Sequence, residues 1–150
     1  MWQSFNALKI DYTFDPHYFK SNYSKHFYTS DRWENRYNRN EYIFHYTSLE
    51  NARSILNVKR IYVTEARVKN FGIGVFMTAL QPFENYSTLL ENIYLGNPKY
   101  ETRLECAFAI KRHHINAYEF VDQKHPSRDL WKCNHDIDLK NNFFLIVREY

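Results

Sequence analysis

Two short stretches hold side chains whose types and spacing suit chemistry. The first, EYIFHYTS, places His45, Tyr46 and Thr47 at the end of an aromatic run. The second, FGIGVFMTALQP, carries two of the chain's three glycines, Gly72 and Gly74, followed by Phe76, Thr78 and Ala79. Glycine admits positive φ and lets a ligand approach the backbone closely, so the second stretch can lay a strand against a flat substrate with no side chain in the way. An aromatic ring such as Phe76 or Tyr86 can stack on that substrate, and the imidazole of His45 can hydrogen-bond a hydroxyl. Taken singly each feature has a plainer reading. A lone GxG more often marks a bulge or tight turn, His45 can be a core histidine, Phe76 and Tyr86 can be core rings, and Thr47 can cap a helix.

The elements that must position these residues are legible from pattern. EYIFHYTS (41–48) is aromatic and β-branched, hence a strand. It ends at TSLE, where Thr47 and Glu50 form a capping box; Leu49, Ala52, Ile55 and Leu56 then keep helical spacing. RIYVTEA (60–66) and GVFMTAL (74–80) read as strands. Pro82 suits the first turn of a helix in which Tyr86, Leu89, Leu90 and Ile93 share a face, with Gly96 as left-handed cap, so the helix is expected over 82–95. RLECAFAIKR (103–112) alternates and reads as a half-buried strand; AYEFVD (117–122) and NNFFLIVREY (141–150) are further strands, separated by a polar loop holding Pro126, Trp131 and Cys133. Residues 1–40, rich in scattered aromatics, read as an irregular or short-helical extension packed on a single globular unit of 41–150. Two main helices and many strands without regular βαβ alternation predict an α+β fold built on antiparallel pairs.

Composition bounds the function. The chain has 150 residues, the size of one domain. Its 13 Tyr and 12 Phe raise the aromatic share to 19%. The formal charge of +3 is spread unevenly: residues 1–75 hold 11 Lys and Arg against 7 Asp and Glu, and residues 76–150 hold 9 against 10. No dense basic run exists, so a nucleic-acid footprint is weak, though a modestly basic face can meet a dinucleotide or RNA. Two cysteines, Cys106 and Cys133, make no disulfide framework, and a reducing, cytoplasmic compartment is expected. The opening MWQSFNALKIDY lacks a charged-then-apolar layout, so no classical export signal is expected, and no apolar run approaches the ~18 residues of a membrane span. His113, His114, His125, Cys133, His135, Asp136 and Asp138 are metal-ligand types, but their spacing fits no zinc pattern and no metal is expected. Neither a nucleophile elbow nor a P-loop occurs.

Taken in order over about residues 42–112, these segments resemble the ADP-ribosyltransferase superfamily. The poly(ADP-ribose) polymerase branch has a His closing its first strand, a SIL helix, a strand of the type FGxG[IV][YF] and an NY pair on the next helix. This chain supplies His45, Ser54-Ile55-Leu56, Phe71-Gly72-Ile73-Gly74-Val75-Phe76 and Asn85-Tyr86. The HYD-signature ADP-ribosyltransferase domains of polymorphic toxins look more similar still, with HYT on the first strand and G-x-[YF]-[LM]-T-D-[LI]-x-P on the later one. Here stand His45-Tyr46-Thr47 and Gly74-Val75-Phe76-Met77-Thr78-Ala79-Leu80-Gln81-Pro82.

The resemblance implies a split pair of antiparallel sheets and NAD as substrate, with a mono-ADP-ribosyltransferase or NAD glycohydrolase activity. It also implies a toxin or effector role in a reducing cytoplasm, reached by delivery into a target cell, with a cognate immunity or regulatory protein as a partner. By resemblance His45 bonds a ribose hydroxyl of the adenosine half, the Tyr46 and Thr47 backbone fixes the carboxamide, Gly72 and Gly74 bare the backbone beside the nicotinamide, Phe76 or Tyr86 stacks on that ring, and Thr78 supports the pocket wall. Two departures stand out. Ala79 replaces the toxin branch's Asp, which implies reduced or absent activity. The polymerase branch's late catalytic Glu has no counterpart at Asn142 or Phe143, leaving Glu105 and Glu149 as candidates and making chain elongation improbable. The alternative is a noncatalytic module of the same fold that binds nucleotide, RNA or a protein partner. Transfer of an RNA 2′-phosphate would require further Arg and His residues in the pocket.

Overall fold

The run YIFHYT cannot easily be helical, because rings and β-branched side chains lose rotamer freedom against the preceding turn; paired as a strand they pack on both faces. The computed structural model describes residues 2–6, 42–65, 71–81, 85–139 and 143–148. In chain order its strands are β1 (Trp2–Asn6), β2 (Tyr42–Thr47), β3 (Arg60–Ile61), β4 (Thr64–Glu65), β5 (Ile73–Met77), β6 (Cys106–Lys111), β7 (Ala117–Phe120), β8 (Leu130–Cys133), β9 (Ile137–Asp138) and β10 (Phe143–Arg148). The α-helices are α1 (Leu49–Val58) and α2 (Tyr86–Tyr94), and a 3-10 helix spans Pro98–Leu104.

Two four-stranded sheets form, in the orders β1-β10-β6-β2 and β4-β5-β8-β7, with β3 and β9 as a separate ribbon. Among the described residues every pairing is antiparallel. The expectation of an α+β fold with antiparallel pairs and two main helices therefore holds. One isolated bridge among the described residues links the sheets, Phe44 with Thr78, whose N–H groups donate to each other's carbonyls at 2.9 and 3.0 Å. Among the described residues no helix is long and apolar enough to cross a membrane.

β2 is buried on both faces. Ile43 joins Val75, Met77, Phe108, Leu145 and the apolar side of α1 in one core. Tyr42, Phe44 and Tyr46 join Leu89, Leu90, Ala107 and Ala109 in a second, which α2 covers. Strand β6 was expected to be half-buried; Cys106 through Ile110 are instead all buried, because its second face carries the small Ala107 and Ala109 beneath the leucines of α2. Truncating Phe108, fully enclosed in the first core, would cost about 3–5 kcal/mol.

The helix boundaries follow local chemistry. Ser48, one residue after the expected Thr47, is the N-cap of α1, its hydroxyl accepting from the Asn51 N–H. Helix α2 begins at Tyr86, with Asn85 as N-cap accepting from Ser87, four residues inside the expected start; Pro82 lies outside the described residues. Gly96 has φ +75 as expected of a left-handed cap, and Leu95 joins it at φ +55. Their N–H groups donate to Glu91 and Leu90 carbonyls, closing the helix as a Schellman-type turn.

Several expectations are corrected. RIYVTEA splits into β3 and β4, which pair with β9 and β5 respectively. Residues 103–105 belong to the 3-10 helix and the bend after it, not to β6. The supposed polar loop contains β8, an interior strand of the second sheet, and β9. Residues 2–6, expected within an irregular or short-helical extension, form the outer strand of the first sheet, with Trp2 opposite Arg148 and Asn6 opposite Phe144. Residues 7–40 of that extension lie outside the described residues.

Candidate functional site

Where β2 and β5 touch, the site residues gather. The bridge of Phe44 and Thr78 brings the two strands side by side, and His45 Nδ1 lies 2.9 Å from the Phe76 carbonyl oxygen. A carbonyl only accepts, so Nδ1 carries the proton and Nε2 of the neutral ring presents a lone pair. Burial lowers the His45 pKa below its ordinary 6.5, and the bond to Phe76 opposes that shift without reversing it. The imidazole is thus neutral near pH 7, an acceptor at Nε2, and partly open to solvent. Among the described residues nothing bonds Nε2.

On the Phe76 side of this junction lies a cavity of about 170 Å³. Phe44, Tyr46, Phe71, Phe76, Tyr94, Phe120 and Trp131 supply aromatic lining, Thr78 and Arg128 stand among the remaining residues of the wall, and His45 is not part of it. Drug-sized pockets run to about 300–1,000 Å³, so this one has the scale of a single planar ring. Its rings are held in place. Tyr46 donates its hydroxyl to the Leu80 carbonyl at 2.7 Å. Phe76 meets Phe120 edge-on at 6.1 Å between centroids, and Phe120 meets Phe71 edge-on at 5.0 Å. Edge-to-face geometry of this kind adds about 0.5–1.5 kcal/mol beyond area burial.

A polar frame stands behind the cavity. Asn92, buried on α2, donates to the Asp129 carbonyl at 3.0 Å and accepts from the Asp129 N–H at 2.6 Å. It also donates to the Thr78 hydroxyl at 3.2 Å. That hydroxyl donates in turn to Asp129 Oδ1 at 3.1 Å, and Oδ1 accepts the Ala79 N–H at 2.8 Å. Arg128 donates to the Asn92 and Ile93 carbonyls, satisfying orphan groups at the end of α2, and to Asp122 at 2.9 Å. That guanidinium, hydrogen-bonded to Asp122, holds its carboxyl below the usual range.

Not every expected site residue sits here. Gly72 has φ +72, which explains its glycine by conformation. Gly74 is buried against β8: a Cβ there would lie 2.6 Å from Lys132 Cγ and 2.9 Å from the Cys133 carbonyl oxygen. The Lys132 stem covers it, and Lys132 Nζ donates to the Phe71 carbonyl at 2.8 Å. Neither glycine lines the cavity, so the expectation that both bare the backbone beside a flat ligand is corrected; close strand packing claims Gly74. Thr47 is buried, its hydroxyl accepting from the Asn51 amide at 2.7 Å. Tyr86 opens α2 and packs on the second core, while Tyr94 is the tyrosine of that helix that lines the cavity. Glu105 accepts from the Leu49 N–H at 3.2 Å, at the start of α1, away from the cavity. Phe143 is a core ring against Phe108. Asn142 and Glu149 lie outside the described residues.

Sequence reasoning missed Asn92, Arg128 and Asp129. Asp129 reaches Ala79 across 50 residues, and no local pattern signals that. Cys106, singled out only for the cysteine count, donates weakly to the Thr47 carbonyl at 3.4 Å; burial, aided by the Glu105 charge, pushes its thiol well up. Cys133 is likewise buried and free. No family model, no curated protein and no solved structure matches this chain.

Proposed function

We propose that the chain binds NAD at the β2–β5 junction and breaks its nicotinamide–ribose bond, as a mono-ADP-ribosyltransferase or NAD glycohydrolase of the ADP-ribosyltransferase-like class, in a toxin or effector role. One observation carries the reading: beside the Phe44–Thr78 bridge that links the two sheets stand an imidazole whose Nε2 has no partner among the described residues and a ring-sized aromatic cavity.

The residue chemistry suits the reaction. Breaking the bond leaves its electron pair on the nicotinamide nitrogen and builds positive charge on the ribose. Phe76 and Tyr46 would hold the leaving ring. His45 Nε2, as an acceptor, would take a hydroxyl proton of the adenosine ribose into a hydrogen bond. Water or an acceptor nucleophile then adds to the ribose carbon, and its proton leaves to solvent.

A second reading, a noncatalytic module of this fold that binds nucleotide, RNA or a protein partner, is favoured by one fact. Among the described residues no carboxylate lines the aromatic cavity, and Glu105 is engaged at α1. Nicotinamide release from NAD separates the two. Release by the wild type that rises in Ala79→Asp and vanishes in His45→Ala supports the enzyme. NAD binding without turnover in every form supports the module, and no NAD binding at all rejects the NAD reading.

A further inference from the structure

Beside the aromatic cavity, and sharing Leu95 and Arg128 with it, runs a polar groove of about 500 Å³. Ser87, Thr88, Glu91, His125, Ser127 and Asp129 line it. Three hydroxyls and two carboxylates among its lining residues can bond the hydroxyls of a sugar. Arg128, the guanidinium at its edge, has Nε, Nη1 and Nη2 each committed to Asn92, Asp122 or Ile93, so it offers little to a phosphate.

Asp129 is the carboxylate fixed most firmly. Its backbone N–H and carbonyl are both taken by the buried Asn92 amide, which leaves the chain there no freedom to turn. Oδ1 is tied to the Thr78 hydroxyl and the Ala79 N–H. Oδ2 has no partner among the described residues, so the carboxylate is held in place with one oxygen uncommitted. Thr78 lines the ring cavity and Asp129 lines the groove, so the carboxylate stands at the seam between the two.

We infer that Asp129 supplies, from β8's leading edge, the ribose-binding carboxylate that position 79 lacks, accepting a hydroxyl of the ribose attached to the ring held in the aromatic cavity. The inference rests on the NAD reading above and adds the residue that reads the sugar. In the reaction the C–N bond to the ring breaks with its electron pair departing on the ring nitrogen. The Asp129 charge stabilises the positive ribose until a water oxygen adds to the carbon and releases its proton to solvent. A preorganised carboxylate acts on that developing charge without reorganising.

The test compares NAD and free nicotinamide as ligands of the wild type and of Asp129→Asn. The amide oxygen still accepts from Thr78 and Ala79, so the melting temperature is expected to stay near the wild type. NAD affinity and nicotinamide release are expected to fall about tenfold or more, the loss of one hydrogen bond to a charged group. Affinity for nicotinamide alone stays unchanged, and Ala79→Asp added to Asp129→Asn restores NAD affinity. A second measurement needs no variant: NAD lacking the 2′-hydroxyl on its nicotinamide ribose binds the wild type about tenfold more weakly. Wild-type binding of NAD with equal affinity and release in Asp129→Asn, or equal affinity for the deoxy analogue, overturns the inference and leaves the NAD reading standing. A wild type that binds no NAD overturns both.

Discussion

His45 Nδ1 and the Phe76 carbonyl oxygen lie 2.9 Å apart across 31 residues of chain, next to the Phe44–Thr78 bridge that joins the two sheets. This bond fixes the tautomer of the ring and ties the second sheet to the first through a side chain as well as through Phe44 and Thr78. His45→Ala removes the donor and leaves the partly buried Phe76 carbonyl without it. The expected loss of stability is about 1–3 kcal/mol, read by urea unfolding. Stability equal to wild type would show that the bond does not form.

The same residue gives a pH dependence whose sign is fixed. Its folded pKa is lowered below 6.5, so between the two values the unfolded chain binds more protons than the folded one. Stability contributed by the neutral ring is therefore complete above the unfolded value and lost as pH falls from about 6.5 through the folded pKa. Equilibrium unfolding of the wild type and His45→Gln from pH 7.5 to 5 should show a steeper decline in the wild type. Parallel curves would contradict the burial of the imidazole.

The glycines of FGIG separate by mechanism. Gly74→Val places a side chain against Lys132 and the Cys133 carbonyl, and overpacking of that kind costs about 1–3 kcal/mol. Gly72→Ala forces a left-handed residue, for about 1–2 kcal/mol. Both variants should melt lower with or without ligand. A Gly74→Val protein that melts like wild type and has lost ligand binding would restore the bare-backbone role.

Asn92→Ala strips the Asp129 N–H and carbonyl of their partners and leaves a gap in α2. A drop of about 2–4 kcal/mol in urea unfolding is expected, since several buried polar groups lose bonds at once. A change below about 0.5 kcal/mol, the scale of an ordinary surface substitution, would mean the clamp carries no weight.

Much of the local structure was written in short-range pattern, and the misses have physical causes. The apolar stripe Leu49, Ala52, Ile55, Leu56 predicts α1, and those four are its buried residues. YIFHYT predicts β2 with the same directness. β8 escaped because four residues, of which Trp131 and Lys132 are half-buried, make no readable alternation; its place between β5 and β7 is decided by partners far away in sequence. Ala107 and Ala109 looked like the outer face of a half-buried strand, since alanine does not say whether solvent or a helix lies above it. In the site, His45, Tyr46, Phe76 and Thr78 share one junction because the two strands that carry them are bridged. Asp129 was invisible because its meaning depends on Asn92 and Ala79 together.

The proposed function requires this junction to receive a folded dinucleotide, ring in the aromatic cavity and hydroxyl on the imidazole. Calorimetric titration of NAD into wild type, His45→Gln and Phe76→Ala tests it most directly, with melting curves to establish that each is folded. Saturable binding to the wild type is expected, with at least about tenfold weaker binding to both variants. No binding by folded wild type, or equal affinity in all three proteins, would contradict it.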